Sequence, residues 1–350
     1  MNSLRTAALV GLGAILAAAH AAAAATINVP ADFATIQEAI DAANSGDEIL
    51  VAPGTYNEAI DFNGKTITLR STDGPLATTI DATGLDTSVV TVASFEGSST
   101  RLEGFTLTGG IGTESGSRRG GAVYVFDAEL TIQSCIMRNN TADLGGAMYF
   151  FSVRSTASVN NCLIYDNTGS QGGAMYYDFS NTIVRNVTMT RNTAASGAGI
   201  YSTNSIPRLF NSIMWANTGA FGGSGTPLVT HSNIEGGFGG TGNISADPLF
   251  VNPSGDDFTL GAGSPCIDAA DSSAVAELLD SDVNGDPRGV DIPAAVDTGI
   301  PVLGICVDMG AYEVQVDCGG PSGCPSDLTG DGMVDSADLF ELLGDWGPCP

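Results

Sequence analysis

The stretch GGAMYFFSVRSTASVNNCLIYDNT, residues 145–168, is followed almost at once by GGAMYYDFSNTIVRNVTMTRNT, residues 172–193. Both begin with Gly-Gly-Ala-Met-Tyr and end with Asn-Thr, and weaker copies lie on either side. The closing asparagines, Asn140, Asn167, Asn192 and Asn217, are 27, 25 and 25 residues apart. A repeat of this length indicates stacked units, none of which can bury a core alone.

Apolar residues fall in columns when the copies are aligned. Short alternating runs of Val, Ile, Leu, Met and Thr, punctuated by Gly and Asn, predict strands joined by turns. Three columns are apolar in every copy: Leu102, Ile132, Val159, Val184, Leu209; Leu107, Met137, Ile164, Met189, Met214; and Val123, Met148, Met175, Ile200. Because side chains alternate across a strand, each column faces one side. The pattern predicts an all-β fold, a parallel β-helix with coils of about 25 residues.

The asparagine column predicts the turns of these coils. Asn tolerates the left-handed backbone conformation, and its amide can bond to the next copy.

Residues 35–46, TIQEAIDAANSG, predict a short helix before the first coils. Thr35 and Glu38 form a capping-box pair, and Gly46 is placed to end the helix. One apolar stripe is formed by Ile36, Ala39, Ile40 and Ala43. We expect this helix to cover the open end of the first coil, where strand edges would otherwise be unpaired.

The formal net charge is −27 over 350 residues. So acidic a chain argues against nucleic acid and against an anionic membrane surface as partners. It also favours neutral or calcium-bridged glycans over free polyanions as ligands.

Residues 1–25 predict a secretory signal peptide. Arg5 supplies the positive charge, Ala7–Ala19 the apolar segment, and the alanine run to Ala25 the cleavage sites. The apolar stretch is short and dominated by Ala, which argues against a membrane anchor. We therefore expect a secreted or cell-surface protein with no membrane span in the mature chain.

Four blocks after the repeats carry a resemblance. They are DPLF (Asp247–Phe250), DDFTLGAGSPCIDAAD (Asp256–Asp271), DVNGDPRG (Asp282–Gly289) and VDMGAYE (Val307–Glu313). Together with the helix and the coils, they make residues 26–314 resemble the right-handed parallel β-helix proteins of the pectate-lyase-like superfamily, with 247–314 as the closing segment. The resemblance implies a right-handed coil and export.

A calcium loop is predicted at residues 327–338, behind a linker of Gly, Pro and Ser at 315–326. Oxygen-bearing side chains occupy loop positions 1, 3, 5, 9 and 12, namely Asp327, Thr329, Asp331, Asp335 and Asp338. Met333 offers its carbonyl at position 7, and Gly332 allows the central turn. A short helix is expected to follow, so residues 327–350 form a module that binds Ca²⁺.

This module resembles one half of a dockerin, in which Asp at the last loop position is usual. It is also similar to C-terminal dockerin-like modules that end in Trp-Gly-Pro-Cys, here Trp346–Cys349. The resemblance implies a cohesin-like or cell-surface anchoring partner. A complete dockerin has two such loops, and this chain departs from that pattern.

Seven cysteines in an exported chain predict disulfides, with at least one thiol left over. The pairs expected to bridge are Cys324 with Cys349, around the calcium loop, and Cys266 with Cys306, around the closing segment. Cys135 and Cys162 share one column in adjacent coils, either bridged or packed as small hydrophobes. Cys318 has no obvious partner.

A row of aromatic residues is the predicted substrate-binding set. If the third apolar column points inward, the tyrosines beside it point outward, one above another. The set is Tyr124, Tyr149, Tyr176 and Tyr201, with Phe126 and Phe151 two residues further along. Exposed, they would offer flat apolar faces and hydroxyls to sugar rings. In the alternative, neighbouring loops cover them as a satellite core, and the insertion Ile111–Arg119 fits a groove wall or a cover.

No motif marks a catalytic set. The lyases of the resembled superfamily use calcium-binding carboxylates and a basic Arg or Lys, and inverting hydrolases use paired aspartates. The charged candidates on or near repeat strands are Asp127, Asp166, Asp178, Arg138 and Arg191, each expected to be a solvated surface residue. His231 is expected to be structural, and Glu129 and Glu235 carry no motif.

The leading interpretation is an exported β-helix that binds extracellular polysaccharide and is tethered through its calcium module. Cleavage by a lyase or glycoside hydrolase is left open. The alternative is a non-catalytic adhesion or spacer protein. Carboxylates and an arginine converging in one exterior groove would favour the enzyme, and a smooth aromatic face would favour the binding protein.

Overall fold

The computed structural model describes residues 24–315, apart from 154–155, 275–280, 291, 293–294, 296 and 303–304. Over this part of the chain the predicted all-β architecture is confirmed. Successive coils stack as a parallel β-helix, and each regular coil gives one strand to each of three parallel sheets.

The three sheets, named A, B and C in the order in which a coil visits them, hold nine, eight and seven of the described strands. Sheet A contains Thr26–Val29, Glu48–Val51, Thr68–Ser71, Arg101–Glu103, Thr131–Gln133, Ser158–Asn160, Ile183–Arg185, Arg208–Phe210 and Leu228–Thr230. Sheet B contains Gly54–Tyr56, Thr78–Asp81, Thr106–Thr108, Ile136–Arg138, Leu163–Tyr165, Thr188–Thr190, Ile213–Trp215 and Asn233–Ile234. Sheet C contains Ile60–Asp61, Val90–Val92, Val123–Phe126, Met148–Phe151, Met175–Asp178, Ile200–Thr203 and Phe221–Gly223.

Smaller elements lie outside these sheets. A four-stranded sheet D borders the turn from B to C and contains Thr113–Glu114, Arg118–Arg119, Thr141–Leu144 and Thr168–Gln171. An antiparallel pair, Phe250–Asn252 and Asp257–Leu260, flanks the 3₁₀ turn Pro253–Gly255, and a second 3₁₀ turn spans Ser272–Ala274.

The predicted apolar columns face the interior. In sheet C, Val123 pairs with Met148, Met148 with Met175, and Met175 with Ile200. The columns in sheets A and B keep the same register from coil to coil. Every residue in the three columns is at most 1% exposed. Each such side chain contributes about 1.5–3 kcal/mol through burial, so the columns supply a large part of the stability of the solenoid.

The asparagine column forms a hydrogen-bonded ladder inside the turn from sheet B to sheet C. Nδ2 of Asn140 donates to Oδ1 of Asn167 at 3.0 Å, and the bond repeats at 3.0 Å to Asn192 and then to Asn217. The left-handed conformation was expected at these asparagines, and that expectation was wrong. It falls on the residue before each one, Asn139, Asp166, Arg191 and Ala216, with φ between 53° and 56°.

Helix α1 (Ile36–Ala42) packs on the first coil, against strands Thr26–Val29, Glu48–Val51 and Ile60–Asp61. The Thr35 hydroxyl oxygen accepts the N–H of Glu38 at 3.2 Å, as the capping pattern predicts. The helix ends at Ala42, before Gly46, because Ala43 is already extended.

The described residues of the closing segment, 247–314, lie along the outer face of sheet B. Phe258 and Tyr312 pack on the outward side chains of Ile136 and Leu163, and other residues of the segment cover Ile213. Turn asparagines between sheets A and B hold it in place: Nδ2 of Asn161, Asn186 and Asn211 donates to the carbonyls of Ser281, Asp308 and Asp271 at 2.9, 3.3 and 2.9 Å. Sheet B is therefore closed to ligands along this length.

A buried charge network joins the segment to the solenoid. The guanidinium of Arg288 is fully buried and donates to Asn161 Oδ1 at 2.8 Å, to the Gly310 carbonyl at 2.8 Å and to Glu313 Oε2 at 3.3 Å. Glu313 Oε2 also accepts the N–H of Asp308 at 3.0 Å. Burial raises the pKa of Asp308 to about 7 and raises the pKa of Glu313 well above its usual range.

These raised pKa values predict that alkaline pH loosens the closing segment. Asp308 and Glu313 hold a proton more readily when folded, so their stabilising contribution is full below about pH 4 and is lost as pH rises through the folded pKa. We expect amides of residues 247–314 to exchange faster at about pH 9 than at about pH 5, after correction for intrinsic rates, while strands of sheet A keep their protection. Equal protection of the segment at both pH values would contradict this.

The described cysteines are all buried. Cys135 and Cys162 pack inside adjacent coils as small hydrophobes, and burial raises the pKa of the Cys135 thiol to about 12. No disulfide joins the cysteines of the described residues, so the expected Cys266–Cys306 bridge is not formed. The Cys266 sulfur, in the closing segment, instead accepts a hydrogen bond from Asn233 Nδ2 at 3.1 Å.

Several predicted features lie outside the described residues. They are the signal peptide up to residue 23, the linker from residue 316, the calcium module and the Cys324–Cys349 pair. Within the described part, no helix is both long and apolar enough to span a membrane.

Candidate functional site

The four predicted tyrosines stack on the outer face of sheet C. Ring centroids are 5.7 Å apart from Tyr124 to Tyr149, 5.3 Å from Tyr149 to Tyr176, and 5.1 Å from Tyr176 to Tyr201. They form a cluster separate from the main core. The expected outward direction and alignment are therefore confirmed.

This stack is covered, as in the satellite-core alternative. Tyr124, Tyr149 and Tyr176 are 7, 2 and 8% exposed, and the guanidinium of Arg119 lies 5.2 Å from the centre of the Tyr149 ring. Burial raises the pKa of Tyr149 to about 12. Arg119 ends the insertion 111–119, so the insertion acts as a cover. The ring faces are used by neighbouring rings and are not open for a sugar.

The phenylalanines at the end of sheet C are more open. Phe126 and Phe151 are half-buried and stack with centroids 4.8 Å apart, and Phe179 meets Phe151 edge-on at 6.2 Å. Phe179 is 59% exposed, and Phe95, in the same turn region of an earlier coil, is 82% exposed. We call these four residues the phenylalanine strip. It follows the edge where sheet C turns into sheet A.

Backbone conformation holds two of these rings outward. Phe179 occupies a turn position at which neighbouring coils place Asp127, Ser152 and Asn204, all left-handed. Phe95 and Phe179 have φ of 62° and 49°. A bulky residue with positive φ is an outlier, and such strained residues cluster at binding sites. Neither residue was predicted from the sequence, although at Phe179 an aromatic residue in place of Asp, Ser or Asn was a usable signal.

A groove of about 360 Å³ opens beside the strip. Its polar lining comes from Glu96, Ser98, Asp127, Glu129 and Ser152, and Phe95 forms its apolar wall. Glu96 is structural, because its two carboxylate oxygens accept the N–H groups of Gly64 and Ser94, each at 2.8 Å. Glu129 has one carboxylate oxygen shielded from solvent without a hydrogen-bond partner in the described chain. The groove thus presents acceptors suited to ligand hydroxyls.

The charged candidates from the sequence do not converge on one site. Asp166 and Arg191 form an ion pair in the turn from B to C, and Arg191 also binds Asp256 of the closing segment. Asp127 and Asp178 lie at the other edge of sheet C, two coils apart, which is about 10 Å at the usual strand spacing. Arg138 lies in sheet B. Within the described residues, no group of three or more His, Cys, Asp or Glu is arranged to hold a metal ion.

Two further candidates have structural roles. His231 is buried in the turn between sheets A and B, with Nδ1 4.0 Å from Asp271 Oδ2. Glu235 Oε2 accepts the N–H of Ala216 at 2.8 Å.

Comparisons with known proteins do not place this chain in a family. No family model and no curated protein matches the chain. A pectin methylesterase from Aspergillus niger is 15% identical with a TM-score of 0.34, over 60% of this chain and 86% of that chain. A pectin methylesterase in complex with a hexasaccharide is 14% identical (TM-score 0.34; 65% and 68%), and a pectate lyase is 13% identical (TM-score 0.31; 83% and 96%). A likeness at this level carries no argument about fold or activity.

Proposed function

We propose that this chain is an exported β-helix protein that binds extracellular polysaccharide along the phenylalanine strip. The observation that carries the proposal is the exposure of Phe95 and Phe179, 82 and 59%. Exposed aromatic rings in a row are costly in water and suit the apolar faces of sugar rings. Of the six aromatic residues predicted to bind substrate, the proposal keeps Phe126 and Phe151. It adds Phe95 and Phe179 to them.

The groove beside the strip supports a saccharide ligand. Carboxylates of Asp127 and Glu129 can accept hydrogen bonds from hydroxyls of a sugar whose ring lies on Phe95. A few polar groups beside an apolar wall fix the orientation of such a ligand. No arginine is among the described residues that line the groove, which argues against the basic residue that a lyase needs, whereas Asp127 and Glu129 leave hydrolysis to be tested by assay.

Substitution of Phe179 by Ala tests this proposal. A glycan array probed with the exported chain should give at least one polysaccharide ligand. Phe179→Ala should weaken the affinity for that ligand about tenfold, which corresponds to the loss of one stacking contact. Leu76→Ala is the matched control, since Leu76 is 72% exposed on another part of the surface and should bind as wild type.

The same samples separate binding from cleavage. Reducing-end and unsaturated-product assays, with and without calcium, should stay at background if the chain only binds. If no glycan on the array binds, the proposal is contradicted and the alternative of a rigid spacer protein remains. Equal effects of the two substitutions would show that the strip is not the site.

We further propose that the C-terminal module, residues 327–350, binds Ca²⁺ and tethers the protein to a cohesin-like or cell-surface partner. The support is the loop spacing from Asp327 to Asp338, which supplies the oxygen ligands that calcium needs.

Asp331→Ala should abolish calcium-dependent protection of this module from proteolysis. The substitution removes the ligand at loop position 5, and metal binding is coupled to folding in so small a module. Limited proteolysis followed by mass spectrometry measures it, with Ser336→Ala as a control outside the ligand set. Identical cleavage of the wild-type module with and without calcium would contradict the loop assignment.

A further inference from the structure

A second groove, of about 620 Å³, is formed by the closing segment and the residues just before it. We call it the closing-segment groove. Its apolar walls include Ile244, Ala246, Pro265, Ile267, Ile292 and Val314, and every described residue that lines it is uncharged. Pockets that take a drug-sized ligand measure about 300–1,000 Å³, so this groove has room for several side chains. An uncharged groove in a chain of formal charge −27 suits an apolar occupant.

The described chain ends beside this groove. Val314 lines it and packs on buried residues of the closing segment. The N–H of Val314 donates to Asp308 Oδ2 at 2.7 Å, and Nε2 of Gln315 donates to the Pro287 carbonyl at 3.0 Å. These bonds fix the position of the chain at the groove wall, so the residues that follow Gln315 start next to it.

The C-terminal module, residues 327–350, has an apolar stripe in its sequence. The helix predicted after the calcium loop places Leu339, Leu342, Leu343 and Trp346 at positions i, i+3, i+4 and i+7, which share one helix face. Residues 316–350 hold one such loop and one such helix, which is too little chain to bury this face by itself. The stripe therefore needs a surface outside the module.

The linker is long enough to bring the stripe to the groove. Residues 315–326 are rich in Gly, Pro and Ser. A flexible chain of this length has a typical end-to-end distance of about 20 Å. Such tethering holds the module near the groove at an effective concentration of about millimolar, so a weak apolar contact is enough for docking. This advantage of the chain's own tail over a free partner favours the tail as the occupant.

We propose that the stripe formed by Leu339, Leu342, Leu343 and Trp346 docks in the closing-segment groove when the calcium loop is loaded. The inference rests on the proposed calcium module and adds the surface on which that module packs. Residues 316–350 contain seven Asp and Glu and no Lys or Arg, so they are repelled by the acidic solenoid, and Ca²⁺ reduces this repulsion. Calcium binding also orders the loop from which the helix starts. Docking and calcium binding therefore strengthen each other.

Calorimetric titration of the full chain with calcium chloride tests this coupling. Asp331→Ala identifies the heat that belongs to the loop. Ala262→Glu places a carboxylate in the groove, and because Ala262 is exposed, this variant should fold normally. We expect Ala262→Glu to weaken calcium binding by the loop about tenfold. An added negative charge alone would strengthen calcium binding, so the weakening reports lost docking. Ala31→Glu, exposed before helix α1, should bind calcium at least as tightly as wild type.

Hydroxyl-radical footprinting of the same samples shows where the module lies. Calcium should shield Trp346 and Pro265 together in the wild type, and Ala262→Glu should leave both open. If no heat can be assigned to the loop, the proposed calcium module itself fails. If the loop binds calcium equally well in wild type and Ala262→Glu, the module stands and the docking is overturned. Shielding that grows with protein concentration would mean docking on a second copy, and shielding of Pro265 without calcium would mean another occupant; either result contradicts docking within one chain.

Discussion

The Met175→Asp chain is expected not to fold. Met175 is fully buried in the central apolar column of sheet C, between Met148 and Ile200, and its sulfur accepts the Tyr177 hydroxyl at 3.1 Å. An unpaired carboxylate there costs several kcal/mol, whereas a whole domain is stable by about 5–15 kcal/mol. Circular dichroism and urea denaturation of the purified chain would show loss of the cooperative β signal.

Met175→Leu is the matched control for that experiment. It keeps the volume and the apolar character, so it should cost less than about 1.5 kcal/mol. If Met175→Asp unfolds at the same urea concentration as Met175→Leu, the strand would be facing the other way and the assignment of inward columns would fail.

Arg288→Leu should release the closing segment while the solenoid stays folded. The substitution removes the buried donor to Asn161 Oδ1, Glu313 Oε2 and the Gly310 carbonyl, and leaving these acceptors unpaired costs about 3 kcal/mol or more. Hydrogen exchange with mass spectrometry should show faster exchange over residues 247–314 and unchanged protection in sheet A.

The control for Arg288 is Arg101→Leu. Arg101 is 42% exposed and pairs with Glu103 at 3.7 Å on the surface of sheet A, so its loss should change stability by about 0.5 kcal/mol or less. Closing-segment exchange that is the same in both variants would contradict the role of the buried network.

Sequence periodicity predicted the solenoid well because each coil repeats the same short strands and turns. Alternation along a strand decides which side chains face inward, so Met148, Met175 and Ile200 could be placed from their spacing alone. The asparagine ladder and the Thr35 cap followed for the same reason, since their partners lie one coil or three residues away.

Periodicity could not predict which outer faces of the solenoid are covered by other parts of the chain. Asn161 meets Ser281 across 120 residues, and nothing in the local pattern of either specifies this contact. The tyrosines were placed correctly on the outside of sheet C, but whether they are open depends on the insertion that ends at Arg119. The exposed Phe179 was missed because it replaces a turn residue and lies outside the aligned strand columns.

Hydroxyl-radical footprinting with the tightest-binding glycan of the array tests whether a glycan covers the phenylalanine strip, because it reports the exposure of single side chains. We expect bound glycan to lower the oxidation of Phe95 and Phe179, which are 82 and 59% exposed in the free chain, while Leu76, at 72%, is oxidised as before. Unchanged oxidation of both phenylalanines in the presence of saturating glycan would contradict it.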